Sequence, residues 1–470
     1  MIMINWQSEV EKRKEKIISE TQEFLRINSV LDETTISEKA PFGKGIDHAL
    51  THLLNKGKDY QLHIKNVDGY AGRIEYGTGE ESLGVLCHID VVPTGDGWTT
   101  PPFSADLREG KIFARGAIDN KGPTMAALFA IVLLKELGLP TTRRVQMIIG
   151  TDEESHWRCV EHYFKHEEMP TFGFAPDADF PIIHAEKGIM DVTLSWNGHP
   201  QKESLIEIVN FHSGERFNMV PDDAKVTLKG ERPHLDQIEE EFRRHLMQEN
   251  HNGEARFEDD ILILRYIGEA AHGSTPENGL NAGVELASFL VTNVELAENI
   301  QSYLEFVKSL KQDYHGKTIQ LDLNDEVSGP LTLNPGLLTC QSNGQAQIGI
   351  NIRYPVTAKG ETCLTKLNEL AETLGATLEV VDHMGPNYVE QDHPLIQTLQ
   401  AVYERQTGNA ADLLAIGGGT YARSLKTGVA FGPMFPGRKD VAHQKDEYIE
   451  VDDLLKMTAI YAEAIYELVK

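Results

Sequence analysis

Apolar segments of two kinds alternate between residues 60 and 185. Runs such as SLGVLCH and RRVQMIIG have the length and composition of buried strands. Between them, PTMAALFAIVLLKELG is long enough for a buried helix, with Pro123 suited to its first turn and Gly138 to its end. Strands that alternate with helices predict an α/β sheet with parallel strands and helices on its faces.

The pattern changes after residue 185. The strand candidates IMDVTLSWN, AKVTLKG, DDILILRYIG and AQIGINIRYP are well separated, and helical stretches are expected at 281–311 and 362–374. From residue 384, a helix, a glycine-rich segment and a last helix from 451 return to the α/β style. We therefore predict a discontinuous α/β domain, residues 1–185 and 384–470, whose mixed, mostly parallel sheet is flanked by helices. Residues 186–383 would form a large inserted α+β domain.

Composition limits the possible partners. A formal net charge of −28 argues against nucleic acid, whose binding normally needs a basic patch. No apolar run approaches the roughly 18 residues of a membrane span, and the first residues lack the apolar core of a signal peptide. The four cysteines are scattered without a CxxC pair, which favours reduced thiols over a thiolate zinc site. We expect a cytoplasmic protein that binds neither nucleic acid nor membrane.

Acids and histidines recur where predicted strands end. His88 and Asp90 follow a buried strand and, two positions apart, point the same way. Ligands collect outside the carboxyl ends of parallel strands. Two histidines with several carboxylates are typical of a catalytic zinc, manganese or cobalt site, and with two ions one carboxylate would bridge. The candidates are His88, Asp90, Asp119, Glu153, Glu154, Asp177 and His443.

Each candidate also has an ordinary structural interpretation. A lone HxD is more often a histidine at the surface or the core edge. Glu153 and Glu154 are compatible with a solvated helix start, where acids are favoured. Asp119 in DNKG could shape a turn, and Asp177 and His443 could be plain loop residues. Their ordered recurrence at strand ends is what favours a metal site.

Five motifs follow one another along the chain: HID (88–90), GAIDNKGP (116–123), TDEES (151–155), APDADFP (175–181) and AHQKDE (442–447). Together they resemble the successive signatures of the M20 family of co-catalytic metallopeptidases, most closely its bacterial dipeptidase V branch. The resemblance extends over essentially the whole chain, including the inserted domain. It implies an α/β catalytic domain and an inserted α+β lid domain.

The resemblance also implies two divalent ions per chain, zinc in first place, with manganese and cobalt as alternatives. Asp119 would bridge the two ions. His88 and Asp177 would complete the site of one ion, and Glu154 and His443 that of the other.

Two further roles follow from the resemblance. Asp90 would hold the His88 ring and fix its tautomer. Glu153 would be the general base that takes a proton from the attacking water and passes it to the leaving amine. The family also has a cis peptide bond at the position of Asp119 and Asn120.

The inserted domain and the glycine-rich segment hold the candidates for substrate binding. GEAAHGSTPENGLNA resembles the family segment whose histidine reaches the substrate oxyanion, here His272. NMVPDDA and NIRYP resemble segments that hold the substrate carboxylate, here through Asn218 and Arg353, and arginine suits that task through its bidentate fork. In IGGGTYA, the backbone of Gly418 and Gly419 could approach the substrate or simply form a tight turn. His272 could likewise be a turn residue and Arg353 a solvated strand residue.

The function implied by the resemblance is hydrolysis of short unblocked peptides of the dipeptide class. Other activities of the same family stay open: deacylation of N-acyl amino acids, desuccinylation and tripeptide cleavage. A non-catalytic binding protein on the same fold is disfavoured by the complete ligand set and by Glu153. A structural metal site is disfavoured because such sites are typically closed with thiolates. The large insertion predicts a monomer that supplies His272 to its own site.

Overall fold

A computed structural model describes residues 4–198 and 204–470. The chain divides by internal contacts into two compact units. The first consists of Met1–Ala185, Tyr388–Leu414 and Thr420–Lys470, and the second of Glu186–Asn387 and Ala415–Gly419. The predicted limits of the inserted domain, 186 and 383, lie near the limits of the main segment of the second unit, Glu186 and Asn387. That the two units are a catalytic domain and a lid domain stays a prediction.

The α-helices of the described residues are α1 (Trp6–Glu11), α2 (Lys14–Leu25), α3 (Lys44–Asp59), α4 (Lys121–Glu136), α5 (Arg158–His166), α6 (Arg232–Glu249), α7 (Ala282–Asn293), α8 (Glu298–Ser309), α9 (Gly360–Leu374), α10 (Pro394–Thr407) and α11 (Val451–Val469). The strands are β1 (His63–Val67), β2 (Ala71–Gly77), β3 (Ser82–His88), β4 (Asp106–Arg108), β5 (Lys111–Phe113), β6 (Arg144–Gly150), β7 (Phe172–Ala175), β8 (Ala178–Asp179), β9 (Ile182–Glu186), β10 (Gly188–Trp196), β11 (Ile206–Ser213), β12 (Asp223–Gly230), β13 (Asn252–Glu258), β14 (Ile261–Ile267), β15 (Asn324–Asp325), β16 (Gly329–Pro330), β17 (Thr332–Gln341), β18 (Ala346–Tyr354), β19 (Thr377–Met384), β20 (Asn387–Tyr388), β21 (Leu413–Ile416), β22 (Gly428–Ala430), β23 (Pro433–Met434) and β24 (Tyr448–Glu450).

The main sheet of the first unit is mixed, with a parallel centre. Seven of its nine strands run in the order β1-β2-β6-β3-β7-β22-β9. Strand β3 lies parallel to both β6 and β7, and β22 lies parallel to β7. The flanking pairs β1/β2, β2/β6 and β22/β9 are antiparallel. The predicted α/β class with a mixed sheet is confirmed, with parallel pairing concentrated in the strands that carry the candidate ligands.

Burial explains why the site forms at the end of β3. All seven residues of β3 are buried, as expected for a central strand covered on both faces. Helix α4 is apolar on every side and is buried from Lys121 to Leu134, and it packs against the C-terminal helix α11. His88, the last residue of β3, is therefore held rigidly where the buried strand ends.

The second unit is an α+β structure. Its sheet is antiparallel, with the order β13-β14-β12-β11-β17-β18-β10-β19. Helix α6 was not predicted, although Leu235, Ile238, Phe242 and Leu246 have helical spacing and are all buried. The predicted stretch at 281–311 is two helices, α7 and α8. Among the described residues, none of the helices combines the length and the apolar character that crossing a membrane requires.

Candidate metal centre

Two groups of possible ligands share Asp119. Its Oδ1 lies 3.0 Å from Nε2 of His88, and its Oδ2 lies 2.9 Å from Nε2 of His443. His88 Nε2 is also 3.3 Å from Asp177 Oδ1, and His443 Nε2 is 3.1 Å from Glu154. Within each group, one ligand atom per residue lies within 4.8 Å of the others. The histidine and carboxylate donors fit two divalent ions of the zinc type.

The His88 ring has a defined orientation. Its Nδ1 lies 3.1 Å from the backbone oxygen of Asp90 and 3.5 Å from Asp90 Oδ1. Because a carbonyl oxygen can only accept, Nδ1 carries a proton, and Nε2 is the nitrogen whose proton a cation would replace. Asp90 Oδ2 accepts the backbone N–H of Glu154 at 3.0 Å. Asp90 thus orients two candidate ligands, and its nearer contact with His88 is through the main chain.

Asn120 positions another candidate ligand. The peptide bond between Asp119 and Asn120 is cis, as the resemblance implied. The Asn120 side-chain amide donates to Asp177 Oδ1 at 2.9 Å and also to the backbone oxygen of Pro176. The residue next to Asp119 therefore fixes Asp177, a candidate ligand from a different strand end.

The cluster has a strongly negative potential. Burial lowers the pKa of His88, but Asp177, Asp119 and Asp90 outweigh it and hold that pKa well above its usual value. Hydrogen bonds to Asp119 and Glu154 raise the pKa of His443 to about 10. The charge that holds protons on both rings is the charge that would hold divalent cations.

Glu153 lies beside both groups without belonging to either. One of its carboxylate oxygens lies within 4.8 Å of ligand atoms of His88 and Glu154. Burial is the largest cause that raises the pKa of Glu153 well above its usual range, with the neighbouring acids adding to it. Its position is compatible with a group that accepts a proton next to the ligand cluster.

Sequence reasoning missed the role of Glu447, which is fully buried. Its two oxygens accept the backbone N–H groups of Gly116 (3.1 Å), Ile118 (2.9 Å) and Asp119 (3.2 Å), and Arg115 Nη1 donates to it at 2.7 Å. Glu447 therefore shapes the turn that presents Asp119. Its place in the motif AHQKDE was the only sequence signal, and nothing local distinguished it from a solvated acid.

Arg115 connects this turn to two other segments. The guanidinium donates to the backbone oxygens of Pro93 (3.3 Å) and Thr94 (3.4 Å), which follow the end of β3. It also donates to the backbone oxygens of His443 (3.3 Å) and Gln444 (3.2 Å). The buried pair of Arg115 and Glu447 therefore ties together three segments that carry candidate ligands.

The second unit contains the candidates for substrate binding, and Asn218 and His272 lie on adjoining segments. The backbone N–H of Gly273 donates to the backbone oxygen of Asn218 at 2.8 Å, next to an isolated antiparallel β-bridge between Met219 and His272. The buried Asn334 amide donates to the backbone oxygens of Phe217 (2.7 Å) and Met219 (2.9 Å). Asn334, which sequence reasoning also missed, holds the main chain on both sides of Asn218.

Ser274 determines the tautomer of His272. Its backbone N–H donates to His272 Nδ1 at 3.3 Å, and its hydroxyl oxygen lies 2.6 Å from the same nitrogen. A backbone N–H can only donate, so Nδ1 accepts and the neutral ring carries its proton on Nε2. Desolvation, and after it the charge of Arg353, lowers the pKa of His272 and favours this neutral form.

Arg353 is buried in β18, which excludes the solvated interpretation. Its Nε donates to Asn351 Oδ1 at 2.9 Å, and the Asn351 amide donates to Asp191 Oδ1 at 2.6 Å. Its Nη1 donates to the backbone oxygen of Gly417. Gly418 and Gly419 follow Gly417 in the segment Ala415–Gly419 of the second unit. Contact of these residues with a substrate stays a prediction.

Comparison with known proteins identifies the class. The profile of peptidase family M20/M25/M40 matches residues 84–467, so the chain belongs to this family. It is 54% identical over 470 residues, 99% of this chain and 100% of the relative, to a Bacillus subtilis (strain 168) protein named "Putative dipeptidase YtjP".

Two solved structures share the fold. The aminoacylhistidine dipeptidase of Vibrio alginolyticus matches with a TM-score of 0.59 and 14% identity, over 97% of this chain and 96% of that one. Aminopeptidase PepT of Bacillus cereus matches with a TM-score of 0.57 and 16% identity, over 97% and 99%. At such identity the likeness supports the fold, and the family membership supplies the chemistry: a peptide hydrolase that depends on divalent metal.

Proposed function

We propose that this chain is a dipeptidase that hydrolyses short unblocked peptides with two divalent ions, bridged by Asp119. The main support is that the two oxygens of Asp119 face two different histidines, each with a further carboxylate beside it. The dipeptidase name of a relative that is 54% identical over nearly the whole chain supports the substrate class. Zinc is the proposed metal, although manganese and cobalt suit the same donors.

The chemistry is divided between the ions and the chain. When bound, two cations supply positive charge that polarises the scissile carbonyl and acidifies the attacking water. Glu153 takes the proton of that water and delivers it to the amine that leaves. Asp90 keeps His88 and the Glu154 main chain in place while this happens.

The remaining candidate residues are proposed to contact the substrate. His272 would donate its Nε2 proton to the oxygen of the carbonyl as negative charge develops there. Asn218 and Arg353 would bind the terminal carboxylate, which limits substrates to short peptides. The main chain of Gly418 and Gly419 would lie against the substrate backbone. We further propose that the enzyme works in the cytoplasm as a monomer.

The proposal is tested by removing the metal from the protein, adding back one metal at a time, and measuring peptide hydrolysis after each addition. The panel needs an unblocked dipeptide, its N-acetylated form and the corresponding tripeptide. We expect rapid cleavage of the unblocked dipeptide in the presence of zinc, manganese or cobalt, and little cleavage by the metal-free protein. Preferred cleavage of the acetylated peptide would assign a deacylase instead, and preferred cleavage of the tripeptide would assign a tripeptidase.

A further inference from the structure

A second group of metal-binding side chains lies on the surface of the first unit, apart from the residues described above. Asp68, His162 and His166 each place one possible ligand atom within 4.8 Å of the others. We propose that this trio, called here the surface trio, binds a third divalent ion of the zinc, nickel or copper class. Imidazole and carboxylate donors suit these metals.

The spacing of the two histidines supports the proposal. His162 and His166 are four residues apart on α5, so both side chains lie on the same face of the helix. Histidines at this spacing are a recurrent way for a helix to present two nitrogens to one zinc ion. The two rings lie against each other, with centroids 4.2 Å apart.

Hydrogen bonds prepare the donor atoms. His166 Nδ1 donates to the backbone oxygen of His162 at 2.9 Å. This bond places the ring proton on Nδ1 and leaves the lone pair of Nε2 for a ligand, as in most metal-bound histidines. His162 Nε2 lies 2.9 Å from Asp68 Oδ2, and an ion between them would replace the proton that they share.

The ring of His162 is restrained from another element. Tyr70 stacks on it with centroids 4.2 Å apart and planes 17° from parallel. Asp68 precedes Tyr70 in the turn between β1 and β2 and has a positive φ of 55°. The third ligand thus comes from a turn that already packs against α5, so little further ordering is needed for binding.

An ion at the surface trio would link two elements that the sequence keeps far apart. It would join the turn between β1 and β2 to α5, the helix that follows the loop with Glu153 and Glu154. Binding to the folded state alone would raise the unfolding temperature with increasing metal concentration. An ion at the surface trio would therefore help to hold α5, and with it the end of the loop that carries Glu153 and Glu154, in place.

Counting bound zinc by equilibrium dialysis tests the inference. We expect three zinc equivalents per wild-type chain and two in His166→Gln. Asp68→Asn should bind the third ion at least about tenfold more weakly, since even indirect partners of a metal contribute about that much. His63→Gln, an exposed histidine on the neighbouring β1, is the matched control and should keep three.

One variant separates this inference from the proposed function. Asp119→Ala should lose the two ions that Asp119 is proposed to bridge, called here the dinuclear site, and should still bind one zinc ion at the surface trio. The double variant Asp119→Ala/His166→Gln should lose that zinc ion as well. Wild-type protein that binds no ion beyond the dinuclear site would overturn the inference. So would a third ion that binds equally well to His166→Gln, or one that His63→Gln also loses.

Discussion

At the scale of single residues, Asp119 is the side chain on which both ions should depend. Each of its oxygens faces a different histidine, so removing the carboxylate removes a ligand from both positions at once. We predict that Asp119→Ala loses both ions of the dinuclear site and all measurable turnover. Elemental analysis after dialysis measures the loss, with Asp106→Ala as control because Asp106 pairs with Arg108 instead. Retention of both ions with normal turnover would show that Asp119 does not bridge.

Glu153 should separate chemistry from metal binding. The variant Glu153→Gln keeps the size of the side chain but cannot accept a proton, so both ions should stay bound. Turnover should fall by about 10²–10⁴-fold, the usual contribution of a general base. Steady-state kinetics together with metal content measure both effects, and Glu161→Gln on the exposed side of α5 is the control. Loss of metal in Glu153→Gln would reassign this residue to ligation.

Ser274 should act through the tautomer of His272. Without its hydroxyl, Nδ1 of His272 keeps only the backbone N–H contact at 3.3 Å, so the preference of the ring for a proton on Nε2 weakens. We predict that Ser274→Ala lowers kcat by roughly tenfold, less than the about 10²–10³-fold expected when an oxyanion donor is removed, and changes KM little.

The conservative variant distinguishes positioning from folding. Ser274→Thr keeps the hydroxyl and should restore kcat. The double variant Ser274→Ala/His272→Ala should have the same kcat as His272→Ala alone, because both changes act on the same contact between His272 and the substrate oxygen. Additive losses, or a Ser274→Thr variant as slow as Ser274→Ala, would contradict the role assigned to Ser274.

The candidate site illustrates what a sequence can predict residue by residue. His88 and Asp90 were predicted as candidates from the end of a buried strand, with the Asp90 side chain holding the His88 ring. The nearest Asp90 atom to that ring is the backbone oxygen, at 3.1 Å, with the carboxylate at 3.5 Å, and a sequence motif cannot show that difference. The function of Glu447 could not be predicted, because its partners are backbone N–H groups more than 300 positions away. Such contacts depend on how the turn folds, whereas the motifs record only which side chains are available.

At the scale of elements, the Arg115 and Glu447 pair determines how the ligand-bearing turns fit together. Both oxygens of Glu447 accept two hydrogen bonds each. Glu447→Gln places an amide N–H₂ where one oxygen was, so two buried donors would face another donor. An unsatisfied buried polar group costs about 1–3 kcal/mol, so we predict a loss of about 2–4 kcal/mol in the free energy of unfolding.

Denaturant unfolding of the metal-free protein measures the effect of Glu447→Gln. Metal content should fall in parallel, because the same turn presents Asp119. Glu450→Gln is a suitable control, since Glu450 is only partly buried and pairs with Arg438 near the surface. Equal stability of Glu447→Gln and wild type would show that the pair does not organise the turns.

Elements were predicted best where one pattern dominated. Helix α4 and strand β3 are mostly apolar and buried over nearly their whole length, and both occur where expected. Strand β19 is almost entirely exposed, so its sequence could not be distinguished from a loop. Strand β13 was missed although its exposed and inward-facing residues alternate strictly. Helix α6 is a different case, because the helical spacing of its apolar residues is present in the sequence and the helix could have been predicted from it.

At the scale of the whole molecule, we predict that one chain is a complete enzyme. The prediction rests on the proposed function, in which His272, Asn218 and Arg353 of a chain serve the metal centre of the same chain. Mixing His272→Ala with Glu153→Gln protein should then recover no activity, because each chain lacks one essential group. Light scattering should give the mass of a single chain, about 52.4 kDa. Recovered activity in the mixture, or an obligate dimer, would refute the monomer.

The position of β22 in the main sheet has a consequence for folding during synthesis. This strand lies between β7 and β9, yet it is one of the last strands in the chain, and His443 and Glu447 come later still. Synthesis proceeds from the N-terminus. A growing polypeptide therefore has a gap in its central sheet, and lacks the candidate ligand His443, until translation is nearly finished. We therefore expect a chain to become able to hydrolyse peptides only after its last residues have been synthesised.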